Sequence, residues 1–316
     1  MRALSVSTAG WNRPMLVTAW AMVPLIAVAL VGLVVDERIL VGAPIWLKPL
    51  KFAVSIAVYG ITWAWLISLL KVGKRLAQRV SVVLASVLLL EQALIVMQVV
   101  RGRGSHFNVM TALDSTVFAV MGVSIAVLWT GTLILTILVL RTPFADRATR
   151  WALRFGAVIS LAGIGMGALM TSPTASQRAS MTDGTFKGVI GAHTVGQEDG
   201  GPVMAVTGWS TTGGDLRIPH FFGMHALQVL PLLVLLMTVL ATRLPVLADE
   251  AVRTRLVGVA GVGYGLFFGL VLWQAERGQP ITAPDSLTLT AAAAIVVAVV
   301  VGAVWAVNAK TKATVG

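Results

Sequence analysis

Four histidines, His106, His193, His220 and His225, offer most of the metal-binding and acid–base chemistry in this chain, which has no cysteine. Thiolate metal sites, iron–sulfur clusters and cysteine nucleophiles are therefore excluded. His220 and His225 are five residues apart in Ile218-Pro-His-Phe-Phe-Gly-Met-His225. On a regular helix that spacing turns about 140° and advances about 7.5 Å, so the two rings leave different faces and His225 lies deeper. Zinc is bound by i,i+4 pairs or by ligands from separate elements. The candidate ligands are accordingly His106, His220 and His225, with Asp114 as a further ligand or as the group orienting one, and the candidate cofactors are zinc or haem. Lys48, Lys51, Arg101 and Arg217, with the polar partners Gln98, Asp114 and Gln228, would instead suit an anionic or polar ligand. A third reading has these groups hydrogen-bonding one another to fix loops. No G-x-S-x-G nucleophile motif and no phosphate-binding glycine loop is present.

Glu91 stands apart, in Leu88-Leu-Leu-Glu91-Gln92. A charge at mid-membrane depth costs about 2.5–3.5 kcal/mol on insertion scales and marks proton relays or buried pairs. Gln98, seven residues on, points the same way. The expectation is an inward-facing Glu91 with a hydrogen-bond partner, serving either proton coupling or helix-to-helix bonding.

The elements that must hold these groups are set by composition. Of 316 residues, 57% are hydrophobic and 12% charged, and the mean hydropathy is +0.88. A soluble domain carries roughly 25% charged residues, so the chain reads as an all-α polytopic membrane protein. Eight segments are long and apolar enough to span: 15–35, 52–70, 80–100, 116–140, 151–171, 221–242, 254–273 and 287–307. The first is too long and uninterrupted for a signal-peptide core, and nothing alternates as a β-barrel would.

Eight spans put both termini on one side. That side carries a net +12 and the opposite loops 0, with Glu91 completing the total of +11. The excess of Lys and Arg predicts cytoplasmic termini in a plasma-membrane protein, and accounts for the net charge without nucleic acid. The lipid bilayer is the expected partner, with a small-molecule or lipid ligand and self-association as further candidates. All four histidines then fall on the outer face.

Span three ends Gln98-Val-Val-Arg-Gly102 and span seven ends Gln274-Ala-Glu-Arg-Gly278, each followed by an acid, Asp114 or Asp285. The spans between which this motif recurs lie about 170 residues apart. The pattern predicts a 4+4 parallel repeat, 15–140 and 151–307, with both halves pointing the same way. The insertion, 172–219, is rich in turn signals and reads as a folded outer cap. Gly163 and Gly167, and Gly261, Gly265 and Gly269, are spaced for close helix packing.

The runs Trp46-Leu-Lys-Pro-Leu-Lys-Phe52, Q-x-x-R-G-x-x-S-H-F-N over 98–108, H-T-V-G-x-x-D-G-G-P over 193–202, and Gly208-Trp through Gln228 are similar to those of an uncharacterised family of bacterial multi-pass membrane proteins. The resemblance covers roughly 44–285 and implies the fold but no activity. Ser105, His106, Asp114 and the later histidine pair also distantly resemble alkaline-ceramidase-like membrane hydrolases, whose zinc is held by histidines on separate helices. This chain departs from them, with H-x-x-x-x-H for H-x-x-x-H and eight spans for seven. The sequence thus leaves three functions open: an outer-face histidine site for metal, haem or a small or lipidic ligand; a proton-coupled transporter or sensor using Glu91; and a zinc-dependent membrane hydrolase.

Overall fold

The computed structural model describes residues 8–309. Arg2, Lys310 and Lys312, which contribute to the charge asymmetry, lie outside them. Within the described residues the chain is helical, with two short two-stranded pairings, β1 (Ile39–Leu40) with β2 (Ala43–Pro44) and β3 (Thr194–Val195) with β4 (Gly214–Asp215), and single bridges between Asn108 and Val189 and between Val203 and Ser210. Seven helices are long and apolar enough to cross a membrane, and a bent pair supplies an eighth span. The protein is membrane-embedded and all-α.

The chain divides into two compact units, Met1–Thr142 with Thr174–Ile190, and Pro143–Pro173 with Gly191–Gly316. The first holds α1 (Arg13–Val35), α2 (Leu47–Leu69), α3 (Lys74–Val100), α4 (Ala112–Arg141) and a short α5 (Ala175–Asp183). The second holds α6 (Arg147–Gly165, continued by a 3-10 turn to Thr171), the bent pair α7 (Arg217–Met224) and α8 (Ala226–Leu240), α9 (Glu250–Glu276) and α10 (Ser286–Asn308). The expected cap, 172–219, is not one body. Its start, including α5 with a Thr174/Gln177 capping box, groups with the first unit, where Ile190 N–H donates to the Phe107 carbonyl at 2.8 Å.

The two units repeat one construction. In each, the first span packs on the second and third, the second on the third, and the third on the fourth. The third spans, α3 and α9, are both 27 residues long and begin 176 residues apart. Each ends in the same left-handed glycine cap. Gly102 (φ 67°) donates to the Val99 carbonyl and Arg103 to that of Gln98; Gly278 (φ 71°) donates to Ala275 and Gln279 to Gln274. Only glycine adopts that φ without cost, which is why it closes both helices. The second spans begin 170 residues apart, each with proline as its third residue, Pro49 and Pro219. The first spans are N-capped by Asn12 and Asp146, and each cap also reaches the start of its third span. Asn12 Nδ2 donates to Gln78 and Ser81 (2.8 and 3.0 Å), and Asp146 pairs with Arg253 (3.7 Å).

Helix packing follows the glycines only in part. A Cβ at Gly163 would overlap the Met224 and Gly223 backbone, and one at Gly261 the Phe155 ring, so both are needed for close approach. A Cβ at Gly269 would meet nothing within 4 Å, and the packing role expected there is absent.

The sixth span is not the regular helix assumed for His220 and His225. It bends 41° at His225, between α7 and α8. The Met224 carbonyl accepts from Ser160 Oγ (2.9 Å) and the Phe222 carbonyl from the Tyr264 hydroxyl (2.6 Å), while Gln228 N–H turns to His225 (3.0 Å). Side chains inserted into the backbone ladder produce such kinks.

Candidate functional site

Seven of the predicted site residues belong to the first unit: Lys48, Lys51, Glu91, Gln98, Arg101, His106 and Asp114. Lys48 lies in the first turn of α2, and its ammonium is 3.0 Å from His106 Nδ1. An ammonium only donates, so Nδ1 accepts and the neutral ring carries its proton on Nε2. Ser105 Oγ stands 3.0 Å from the same nitrogen, and Phe52 packs on the ring at 5.7 Å between centroids. Lys51 is half-buried one turn on.

Deeper, Glu91 is 2% exposed, and neither carboxyl oxygen has a hydrogen-bond partner. It lies nine residues before the end of α3, about 13 Å into the bundle. It faces inward as expected, and the expected polar partner is the Ser124 hydroxyl of α4, which lies beside the carboxyl without closing a hydrogen bond of normal geometry. Beyond burial itself, the charge of Lys48 and then the Ser124 hydroxyl act on the carboxyl. Beside it Gln92 donates to the Pro49 carbonyl at 3.2 Å and leaves its own buried Oε1 unpaired. Further along, the Tyr59 hydroxyl bonds Thr132 at 2.7 Å, and the Trp63 indole N–H and Thr136 hydroxyl are buried without partners. Sequence reading passed over Gln92, Ser124, Tyr59 and Thr132. The available signal was that each is a polar residue within an apolar span.

At the end of α3, Gln98 and Arg101 converge on Asp114, at 3.1 and 2.7 Å, with Thr111 Oγ1 donating at 2.8 Å. Asp114 is wholly buried and Arg101 retains 29% exposure. The second unit repeats this knot with a swap. Thr111 caps α4 and Asp114 is its third residue; Asp285 caps α10 and Thr288 is its third residue. Arg277 bonds both Asp285 and Thr288. The equivalent of Asp114 is therefore Thr288, not the Asp285 expected from the motif.

The remaining predicted residues, Arg217, His220, His225 and Gln228, belong to the second unit. Arg217 clamps the buried Asp215, by Nε at 2.9 Å and a terminal nitrogen at 2.5 Å, and donates to the Gly208 carbonyl. His220 Nδ1 is 2.8 Å from the Gly163 carbonyl, to which it must donate, and His225 Nδ1 is 3.4 Å from Gln228 Oε1. In the connection between α6 and α7, His193 pairs with Asp199 at 2.6 Å. Burial alone would raise the Asp199 pKa, but the hydrogen bond and charge of His193 outweigh it and hold the carboxyl well below the usual range. Asp36, just after α1, is likewise held low by hydrogen bonds from Arg38 and then Trp46.

No group of three or more His, Asp or Glu among the described residues is placed to hold a metal ion. The proposed ligands His106, Asp114, His220 and His225 are each committed to the local partners just given.

The repeat shows which groups the scaffold can do without. At the register of the third spans, Glu91 and Gln92 correspond to Phe267 and Phe268; at that of the second, Lys48 corresponds to Ile218. Aligned on their helix caps, Ser124 and Thr132 correspond to Ala298 and Ala306. The second unit folds with apolar side chains where the first has a polar column. Fold stability therefore does not explain the column. No family model, curated protein or solved structure matches this chain.

Proposed function

We propose that the first unit moves a proton within the membrane, with Glu91 as the carrier, and that the protein is a proton-coupled transporter or sensor. The observation that carries this reading is the Glu91 carboxyl, buried and without a hydrogen bond where the sister unit has Phe267. A bare carboxylate there is costly, and binding a proton is the simplest relief. Lys48 and His106 form the polar link from the loop end of the bundle toward Glu91. The bent sixth span is of the discontinuous kind that transporters use. The zinc-site and hydrolase readings lose support because no group of three His, Asp or Glu assembles among the described residues.

In liposomes loaded with a pH-sensitive dye, an imposed potential should drive acidification that depends on Glu91. Entry equally fast through Glu91→Gln would contradict the proposal. We further place the protein in the plasma membrane with cytoplasmic termini, on the strength of the charge asymmetry. Reporter fusions at residues 75 and 147 should then read cytoplasmic, and those at 105 and 195 outside. An outside reading at 147 overturns that orientation.

A further inference from the structure

On the surface of the first unit, between α3 and α4, lies an open apolar groove of about 500 Å³, lined by residues from Arg79 to Leu84 and from Val123 to Ile134; at its floor the two helices meet closely, where the Gly131 position faces Leu84 and Val80. We infer that this groove binds one acyl chain of an anionic bilayer phospholipid, with the phosphate held by Arg79.

The dimensions fit a single leaflet. From Ile134 to Val123 the groove runs eleven residues along α4, about 16 Å at 1.5 Å per residue. Half of a hydrocarbon core of about 30 Å is nearly the same length. Arg79 closes one end, five residues inside α3, about 7.5 Å from its start. A helix of 27 residues is about 40 Å long and overhangs that core by about 5 Å at each end. This depth places a guanidinium, on its flexible stem, at the lipid phosphate level. The only hydroxyl lining the groove, that of Thr130, bonds its own Ala126 carbonyl (2.9 Å) and presents nothing polar to a chain.

The sister unit differs at the same register. Gly131 and Ala126 correspond to Trp305 and Val300, larger side chains that are both more than half exposed. Arg79 corresponds to Arg255, whose guanidinium donates to the Ala306 and Ala309 carbonyls at 2.9 and 3.0 Å. Arg79 makes no hydrogen bond or ion pair among the described residues. An arginine committed to its own bundle in one unit is thus left at the mouth of an open groove in the other. Guanidinium matches phosphate bidentately, and the uncompensated positive charge of Arg79 favours an anionic lipid over a zwitterionic one.

The test uses the full chain reconstituted in phosphatidylcholine vesicles containing a small fraction of spin-labelled phosphatidylglycerol or, separately, spin-labelled phosphatidylcholine. The wild type should immobilise the anionic lipid at least fivefold more than the zwitterionic one. Arg79→Gln should remove most of that preference. Ala126→Trp, at an exposed position that leaves the core intact, should displace the immobilised lipid of both kinds. Arg75→Gln, outside the groove, should change the preference less than twofold. Equal immobilisation of the two lipids by the wild type overturns the inference. So does a preference that survives both groove variants, or one that falls equally with Arg75→Gln and Arg79→Gln, which would mark a diffuse surface charge.

Discussion

Glu91→Leu should make the protein more heat-stable in detergent while abolishing proton movement. The two carboxyl oxygens of Glu91 are buried without a hydrogen bond of normal geometry. Leaving a buried polar group unsatisfied costs roughly 1–3 kcal/mol, and the sister unit tolerates Phe267 at this register. Leucine removes the unpaired atoms, keeps most of the volume, and needs no partner. In a domain of 150–250 residues, each kcal/mol shifts the melting temperature by roughly 2–4 °C. A rise of a few degrees with at least a tenfold loss of proton flux is expected. A functional carboxyl that costs stability gives this combination. A fall in melting temperature would mean that Glu91 makes a stabilising bond, and would return it to a structural role.

Asp114→Ala should do the opposite, destabilising the protein by roughly 3 kcal/mol, read as a melting shift. Asp114 is fully buried and receives Gln98, Arg101 and Thr111 together. Removing one partner of a buried pair typically costs about 3–5 kcal/mol. The lower end applies because Arg101 keeps 29% of its surface and can turn to water. The sister acid provides the control. Asp285 is 39% exposed, and an exposed pair is worth about 0–1 kcal/mol. Asp285→Ala should therefore cost about 1 kcal/mol, mostly from the lost helix cap. Equal losses at the two positions would show that the acids are interchangeable and that the swap between units has no consequence.

The spans were legible because length and hydropathy are summed over twenty residues, and local irregularities average out. Their ends were less so: α2, α3 and α4 start four to six residues before the apolar runs, since Lys48, Arg75 and Asp114 lie inside helices. The repeat was visible in Gln98…Gly102 and Gln274…Gly278, because a glycine cap fixes that motif in both units. The acid was mispaired because the following loops differ by two residues. Helix caps, not the nearest matching letter, set the equivalence of Thr111 with Asp285. The bend at His225 was hidden because its cause lies in Ser160 and Tyr264, remote in sequence. The polar column was only half seen. Glu91 draws attention as a charge, whereas Ser124 and Thr132 look like ordinary helix residues until the sister unit shows alanine in their places.

If Glu91 carries the proton, its membrane-buried carboxyl exchanges that proton with bulk water. Infrared difference spectroscopy of the reconstituted protein tests this most directly. The expected result is a protonated-carboxyl C=O band that shifts in D₂O, titrates with bulk pH, and is missing in Glu91→Gln. A spectrum identical in wild type and Glu91→Gln, or a Glu91 band that responds to neither deuterium nor pH, would contradict it.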